Sequence, residues 1–258
     1  MALIESILVI IVIVIIIVIL YQTFFKINNM LVAGIVPANK QLVIDKGKLP
    51  DNISSNFTWS VWFYVNNWNT NYGSPKYIFY QAPQSINQSG GKFNFAVVLD
   101  PFENDLEIFL NTYAESLATP LQATTATTLQ RSSAYGTEYR IEGYKINNID
   151  LQKWVNLIIT VDGRTLDIYL QGKLVRTYIL PNTVPILPDN VYVGDPASYF
   201  DGNIANLQYL ANSVNPQEAY KIYKDGISSD LAGDFFNKYR LKLQFMQYNT
   251  AVGDPLIL

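Results

Sequence analysis

Glu103, Asp105 and Glu107 stand at alternate positions in Glu103-Asn104-Asp105-Leu106-Glu107. On a strand, every second residue shares a face, so this spacing aims three carboxylates the same way. Carboxylates held together in that manner are the tools of nucleophilic and general acid–base chemistry. A plainer reading competes with this one. The motif abuts the turn signal Asp100-Pro101, and Leu106, Ile108 and Leu110 would then face a core while the acids are solvated at a hairpin end. Other machinery is scarce. The chain has no histidine, which removes Ser-His-Asp and Cys-His chemistry and most zinc sites. It has no cysteine, so no disulfide framework supports it.

Loop aromatics form a second set of candidates. Trp68, Tyr72 and Tyr199 fall on or near turn-rich stretches and could stack on the faces of sugar rings. In a chain with 18 tyrosines, 13 phenylalanines and 4 tryptophans, such residues also serve as packing or interface groups. Net charge is −3, so no basic field is present to hold nucleic acid. Lys221, Lys224, Lys238, Arg240 and Lys242 make a mildly basic C-terminal region, read as a solvated face.

The elements that must position these groups are organised around Trp154–Gly226. Asp162-Gly163 separates Val155–Val161 from Thr165–Leu170, and Gln171-Gly172 separates that run from Leu174–Leu180. Asp-Gly between alternating runs is a hairpin signal, because a primed turn needs positive φ at its centre. Leu166, Ile168 and Leu170 alternate with Thr165, Asp167 and Tyr169, which predicts a three-stranded meander with one buried face. Phe57–Val65 is a further core strand, with one aromatic and aliphatic face and one half-polar face. Gln41–Asp45, Tyr77–Tyr80, Phe93–Leu99 and Leu106–Thr112 read as strands, and Tyr139–Ile149 leads back to Trp154. Asn215, Pro216 and Gly226 bracket a helix over Pro216–Tyr223. Leu241, Leu243 and Phe245 predict a late strand, and the tail Thr250–Leu258 either docks on a neighbour or frays. Ala114–Ser133 is too long and aperiodic for a hairpin loop and reads as an inserted surface excursion.

The N-terminus is of another kind. Every residue from Ile7 to Leu20 is Ile, Leu or Val. Each favours insertion by roughly 0.3 to 0.6 kcal/mol at a helix centre, so Leu3–Phe25 is expected to cross a lipid bilayer as one helix. Lys26, Lys40, Lys46 and Lys48 follow the span and no Lys or Arg precedes it, which puts the C-terminal domain on the cytoplasmic side. The sequons at Asn52, Asn56 and Asn87 would point the other way if used. The expected organisation is therefore an anchor over 1–26, a linker with a first strand over 27–50, one all-β domain over 51–229, and a C-terminal strand and tail over 230–258.

Several of these motifs carry a resemblance. Trp154 opening a strand, Asp162-Gly163, Asp167-Ile168-Tyr169-Leu170, Gly172-Lys173-Leu174-Val175, Val191-Tyr192-Val193-Gly194 and Phe200-Asp201-Gly202-Asn203 occur in that order. Phe57-Thr58-Trp59-Ser60-Val61-Trp62 precedes them, and Asn215-Pro216 with Ile222-Tyr223-Lys224-Asp225-Gly226 follows. Together they resemble the concanavalin A-like, laminin G-like jelly-roll superfamily over about Val43 to Gly226. Within it, the chain resembles the membrane-anchored version found in large DNA viruses of algae and protists.

The resemblance implies an all-β, two-sheet antiparallel jelly-roll sandwich behind an N-terminal transmembrane helix. It implies a structural rather than catalytic role, as a minor capsid protein tying an internal membrane to the outer shell, with capsid or membrane-associated proteins as partners. Some glycoside hydrolases on this fold carry a Glu-x-Asp-x-Glu strand motif, in which Glu103 would match the nucleophile and Glu107 the acid/base. Asn104 departs from the apolar residue usual at the second position, which places that role in doubt. Laminin G-like domains also bind calcium through loop acids, for which Asp162, Asp195 and Asp201 have the right chemistry, although no dense calcium loop is present. A membrane-anchored lectin-like module is the alternative to the capsid role, and a tethered hydrolase using Glu103 and Glu107 the second alternative.

Overall fold

The computed structural model describes residues 29–50, 54–88, 92–114, 139–227, 242–247 and 250–257. The expected membrane anchor, the excursion after Ala114 and the segment around Phe235 lie outside them. Among the described residues, no helix is long and apolar enough to cross a membrane.

Two six-stranded antiparallel sheets face each other. The first runs β1 (Met30–Pro37), β12 (Asp201–Leu210), β3 (Phe57–Asn67), β8 (Trp154–Asp162), β9 (Thr165–Leu170), β10 (Lys173–Ile179). The second runs β2 (Leu42–Ile44), β11 (Asn190–Val193), β4 (Lys76–Ala82), β5 (Phe95–Leu99), β6 (Asp105–Tyr113), β7 (Tyr139–Asn147). This is the expected jelly-roll sandwich, and the meander around Asp162-Gly163 is β8-β9-β10.

The core lies between the sheets. Trp59, Phe63, Leu157 and Ile168 from the first interdigitate with Phe79, Phe95, Val97 and Ile108 from the second. Trp59 is central, its ring 5.1 Å from Phe79 and 4.6 Å from Tyr209. Part of each sheet's outer side is buried too, including the half-polar face of β3. On the first sheet, α1 (Pro216–Asp225) covers Ile158 and Tyr169 with Ala219, and Tyr223 stacks on Trp62 at 5.7 Å. The capping box of Asn215 with Glu218 starts that helix as the sequence predicts. On the second sheet, Tyr80, Val98 and Phe109 pack with Ile86 and Phe93 of the 83–94 loop, and Tyr80 stacks on Tyr192 at 5.0 Å.

Two sequence expectations are corrected. Residues 30–37, expected as linker, form an edge strand on β12; Gly34, at φ 83, sits in a register shift, so the glycine bends the strand rather than ending it. The tail, read as docking or fraying, instead forms a strand: β13 (Lys242–Gln247) pairs with β14 (Thr250–Ile257). Asn56, part of a sequon, has a structural use. Its amide donates to Asp162 and accepts from the Gly163 N–H at 2.8 Å, capping the β8–β9 turn.

Register orients the chain. Met30 pairs with Gln208, Pro37 with Asn203 and Asp201 with Asn67, so β1 runs from the Phe57 end of the sandwich toward the Asn67 end. The Phe57 end is closed by the 180–189 strap, over a cavity of about 30 Å³ lined by Trp59, Gln81, Asn94 and Leu187. Gln81 and Asn94 fasten the strap through the Leu187 carbonyl.

Beside these fastenings, Asp189 Oδ2 is buried with no hydrogen bond. Burial pushes its carboxyl up to about 6, against the opposing pull of Lys46. A raised carboxylate pKa penalises the ionised folded state above that value, and the penalty fades as pH falls toward the unfolded value. Asp189→Asn is therefore expected to raise unfolding stability at pH 7.5 by about 1 to 2 kcal/mol. The gain over wild type should vanish at pH 4 in paired urea titrations.

Candidate functional site

Four loops converge at the Asn67 end: 68–75, 100–104, 148–153 and 194–200. Side-chain amides and carboxylates shape each of them. Asp100 Oδ1 accepts the Phe102 and Glu103 N–H groups at 2.8 and 2.9 Å, which folds 100–104 into a tight turn. Asp195 does the same for Ala197 and Ser198 at 2.8 and 3.0 Å. Asn71, at φ 52, donates to the Tyr199 carbonyl at 2.9 Å, and the Gly73 N–H donates to the Pro101 carbonyl at 2.9 Å. Asn104 Nδ2 reaches the Ile149 carbonyl at 2.7 Å. The loops are thus tied to one another rather than merely adjacent.

The surface they present is aromatic. Tyr72 and Phe102 are 61% and 62% exposed, and their rings meet edge-to-face at 5.7 Å. Two large rings held in solvent by a braced loop cluster form a ready contact point, since exposed aromatics cost little further ordering on binding. Trp68 lies deeper. Lys76 Nζ sits 4.6 Å from its ring centroid and donates to the Asp100 carbonyl at 3.4 Å, while the Trp68 indole N–H makes no hydrogen bond. Lys76 is wholly buried, and burial holds its amine below the ordinary lysine value, partly offset by Asp100. A cation over an indole face is the compensation this burial requires.

The carboxylates lie beside the aromatic pair, and an ammonium gathers them. Lys145 Nζ is 2.7 Å from Glu103, 2.9 Å from Asp105 and 3.2 Å from Asp100. Burial alone would lower the Lys145 pKa; its bonds to Glu103, Asp105 and Asp100 outweigh burial and hold the amine above its ordinary value. Burial pushes the Asp100 carboxyl up, and the Glu103 and Phe102 amides with Lys145 more than reverse it. A general acid at neutral pH needs a raised pKa, and Asp100 is driven the other way.

The alternation read for Glu103, Asp105 and Glu107 holds in part. Glu103 belongs to the turn, so only Asp105 and Glu107 share a strand face, because β6 begins at Asp105. That is the outer face of the second sheet, where Phe109 joins the buried cluster. Glu107 lies opposite Lys145 in the ladder and is 7% exposed. Lys145 pairs with Glu103 and Asp105, and Glu107 lies opposite it in the ladder, so the three are not aimed together at open solvent.

The calcium candidates are not brought together. Asp162 and Asp201 flank opposite ends of β3, roughly 33 Å apart at about 3.3 Å per residue. Asp162 accepts from Asn56, Asp201 from Asn66, and the wholly buried Asp195 from Gln41 and its own turn. Among the described residues, no group of three acids could hold a metal ion. Of the proposed sugar-stacking residues, Trp68, Tyr72 and Tyr199 do reach the same end, Tyr199 through its backbone carbonyl. Phe102, Lys145 and Lys76 were not singled out in the sequence. An aromatic directly after the Asp-Pro turn was the available signal for Phe102.

Residues 39–219 match the profile of a laminin G family, described as the concanavalin A-like lectin/glucanases superfamily. The chain belongs to that superfamily. Solved structures similar to this jelly roll include the botulinum neurotoxin serotype D ligand binding domain in complex with N-acetylneuraminic acid, at 12% identity and a TM-score of 0.51, covering 74% of this chain and 42% of that one. The receptor binding domain of botulinum neurotoxin D matches at 12% identity and a TM-score of 0.50, covering 76% and 43%. This lectin/glucanase-like chain therefore spans less than half the length of those domains, and the likeness is one of fold. No curated protein matches the sequence.

Proposed function

We propose that the chain is a membrane-anchored structural and interaction protein whose Tyr72–Phe102 rim docks a partner protein. Leu3–Phe25 provides the anchor. In the setting that the sequence resemblance implies, it is a minor capsid protein of a large DNA virus, linking the internal membrane to the shell with its C-terminal domain on the cytoplasmic, capsid-facing side. The observation that carries the reading is the rim's exposure at the end of the sandwich opposite the point where β1 begins. An anchor attached before β1, which starts level with Trp59, leaves the end of β3 at the rim roughly 26 Å away, at about 3.3 Å per residue. The ion-paired acids beside it support binding over turnover.

The test is the double variant Tyr72→Ala/Phe102→Ala in the full chain within purified particles. Each exposed ring fits a contact hot spot, so crosslinking to shell proteins is expected to fall about 10- to 100-fold. Membrane association and thermal stability should be unchanged. Absence of the chain from particles, or undiminished crosslinking, sinks the reading.

A glycan-binding module is the second reading, favoured by the same exposed aromatic pair with the Glu103 carboxylate next in the chain to Phe102. Saturable signal on a glycan array, lost in the double variant, would move the assignment there. A hydrolase using Glu103 and Glu107 is less favoured, because Asp100 holds Glu103 in a turn off the strand face and Lys145 pairs with its carboxylate.

A further inference from the structure

The end of the sandwich opposite the rim carries exposed aliphatic residues that neither the fold nor the rim explains. Ile179, at the end of β10, is 68% exposed, and Ile186, on the 180–189 strap, is 52% exposed. Lys46, Lys48 and Arg164 lie on the same end and are exposed. Its acids are partly engaged within the chain: Asp45 accepts the Gly47 N–H at 2.8 Å, and Asp162 accepts from Asn56 at 3.1 Å.

The chain's entry point lies at this end. The Asn29 carbonyl accepts the Tyr209 N–H at 2.9 Å, and Tyr209 pairs with Trp59, two positions inside the start of β3. Four residue steps lead from Phe25, the last residue of the expected anchor, to Asn29, a reach of at most about 14 Å when fully extended. Clearing the Phe57 end of the sandwich consumes roughly 7 Å of that. The slack left is about the width of a headgroup layer, so the domain cannot stand away from its anchor.

From this we infer that the Ile179–Ile186 end is a lipid-contacting surface. The two isoleucines enter the interfacial layer of the bilayer, and Lys46, Lys48 and Arg164 meet lipid phosphates. The inference rests on the anchor reading. It adds a second contact that fixes the tilt of the sandwich and points the rim away from the membrane.

Because the chain has no cysteine, a single introduced thiol can be labelled cleanly. Full-length Ile186→Cys, Ile179→Cys and Tyr72→Cys variants would each carry an environment-sensitive dye in vesicles of phosphatidylcholine with a minor fraction of phosphatidylglycerol. A nitroxide-bearing lipid is then added as quencher. Dyes at positions 186 and 179 should be quenched several-fold more than the dye at 72. If the chain floats with the vesicles but all three dyes quench alike, the lipid contact is wrong while the anchor stands. Dyes at 186 and 179 shielded from aqueous iodide yet untouched by the nitroxide would mean that protein covers this end, which also overturns the inference. Failure to float removes the anchor and this contact together.

Discussion

Replacing Lys145 by methionine is expected to lower the unfolding free energy by about 2 to 3 kcal/mol at pH 7, somewhat less than the 3 to 5 kcal/mol typical of breaking a fully buried ion pair. The discount reflects a Lys145 side chain that is 30% exposed. The loss comes mainly from Asp105 and Asp100, whose side chains are only 8% and 12% exposed and would be left without their counter-charge. Glu103, at 69%, can turn into water. The sign of the pH dependence follows from the shifts. The Asp100 carboxyl sits below its ordinary value, so its contribution is present above the unfolded value near 4 and is lost as pH falls through the lower folded one. The Lys145 amine sits above its ordinary value, so its contribution is present below about 10.4 and is lost as pH rises through the folded value. The gap between wild type and variant should therefore be widest between about pH 4 and pH 10 and should close in stronger acid. Chemical denaturation at pH 7 and pH 3 measures it. Equal stabilities at pH 7 would mean that the acids are not held by the ammonium, and the hydrolase reading would gain.

The same network shows what a linear reading can and cannot reach. Strand periodicity correctly put Leu106, Ile108 and Leu110 in the core, because alternation depends only on backbone geometry. It could not say where β6 begins. The Asp100 side chain draws Phe102 and Glu103 into a turn, so Glu103 leaves the strand face that its spacing suggested. Lys145 lies 42 residues beyond Glu103 and reaches it only through the β6–β7 register, which one sequence does not contain. Tyr72 was legible as a loop aromatic, and Phe102, its partner across two loops, was not. The cover of the outer faces was out of reach for a related reason. The half-polar face of β3 carries Trp62, and its cover was not legible, because α1 brings Tyr223 onto it from far along the chain. Local pattern identifies elements; the helix and the 83–94 loop, folding back, decide which faces stay wet.

Gly202→Ala should produce a larger loss than Lys145→Met, and it tests why the Phe200-Asp201-Gly202 motif joins the core to the rim. A Cβ at position 202 would lie 1.9 Å from the Tyr64 carbonyl oxygen and 2.8 Å from the Phe200 ring. The oxygen is backbone within the β12–β3 ladder, and Phe200 is wholly buried, so neither can move aside cheaply. One strand must lift, forfeiting at least the local ladder bonds and the Phe200 packing, a loss of roughly 4 kcal/mol or more. Gly163→Ala separates this from a purely conformational cost. Gly163 has φ 59 but open space around its Cβ position. An alanine there should cost only about 1 to 2 kcal/mol, the ordinary penalty of left-handed backbone. Urea titrations of the two variants should rank 202 well above 163. The defect at 202 should also spread toward the rim, because Asp201 holds Asn66 at 2.8 Å and pairs with Asn67, where the loop bearing Tyr72 begins. A dye at position 72 would then gain mobility in Gly202→Ala and keep its wild-type anisotropy in Gly163→Ala. Equal costs at the two glycines would mean that β12 relaxes around the added methyl, and that the motif is a turn signal rather than a close backbone contact.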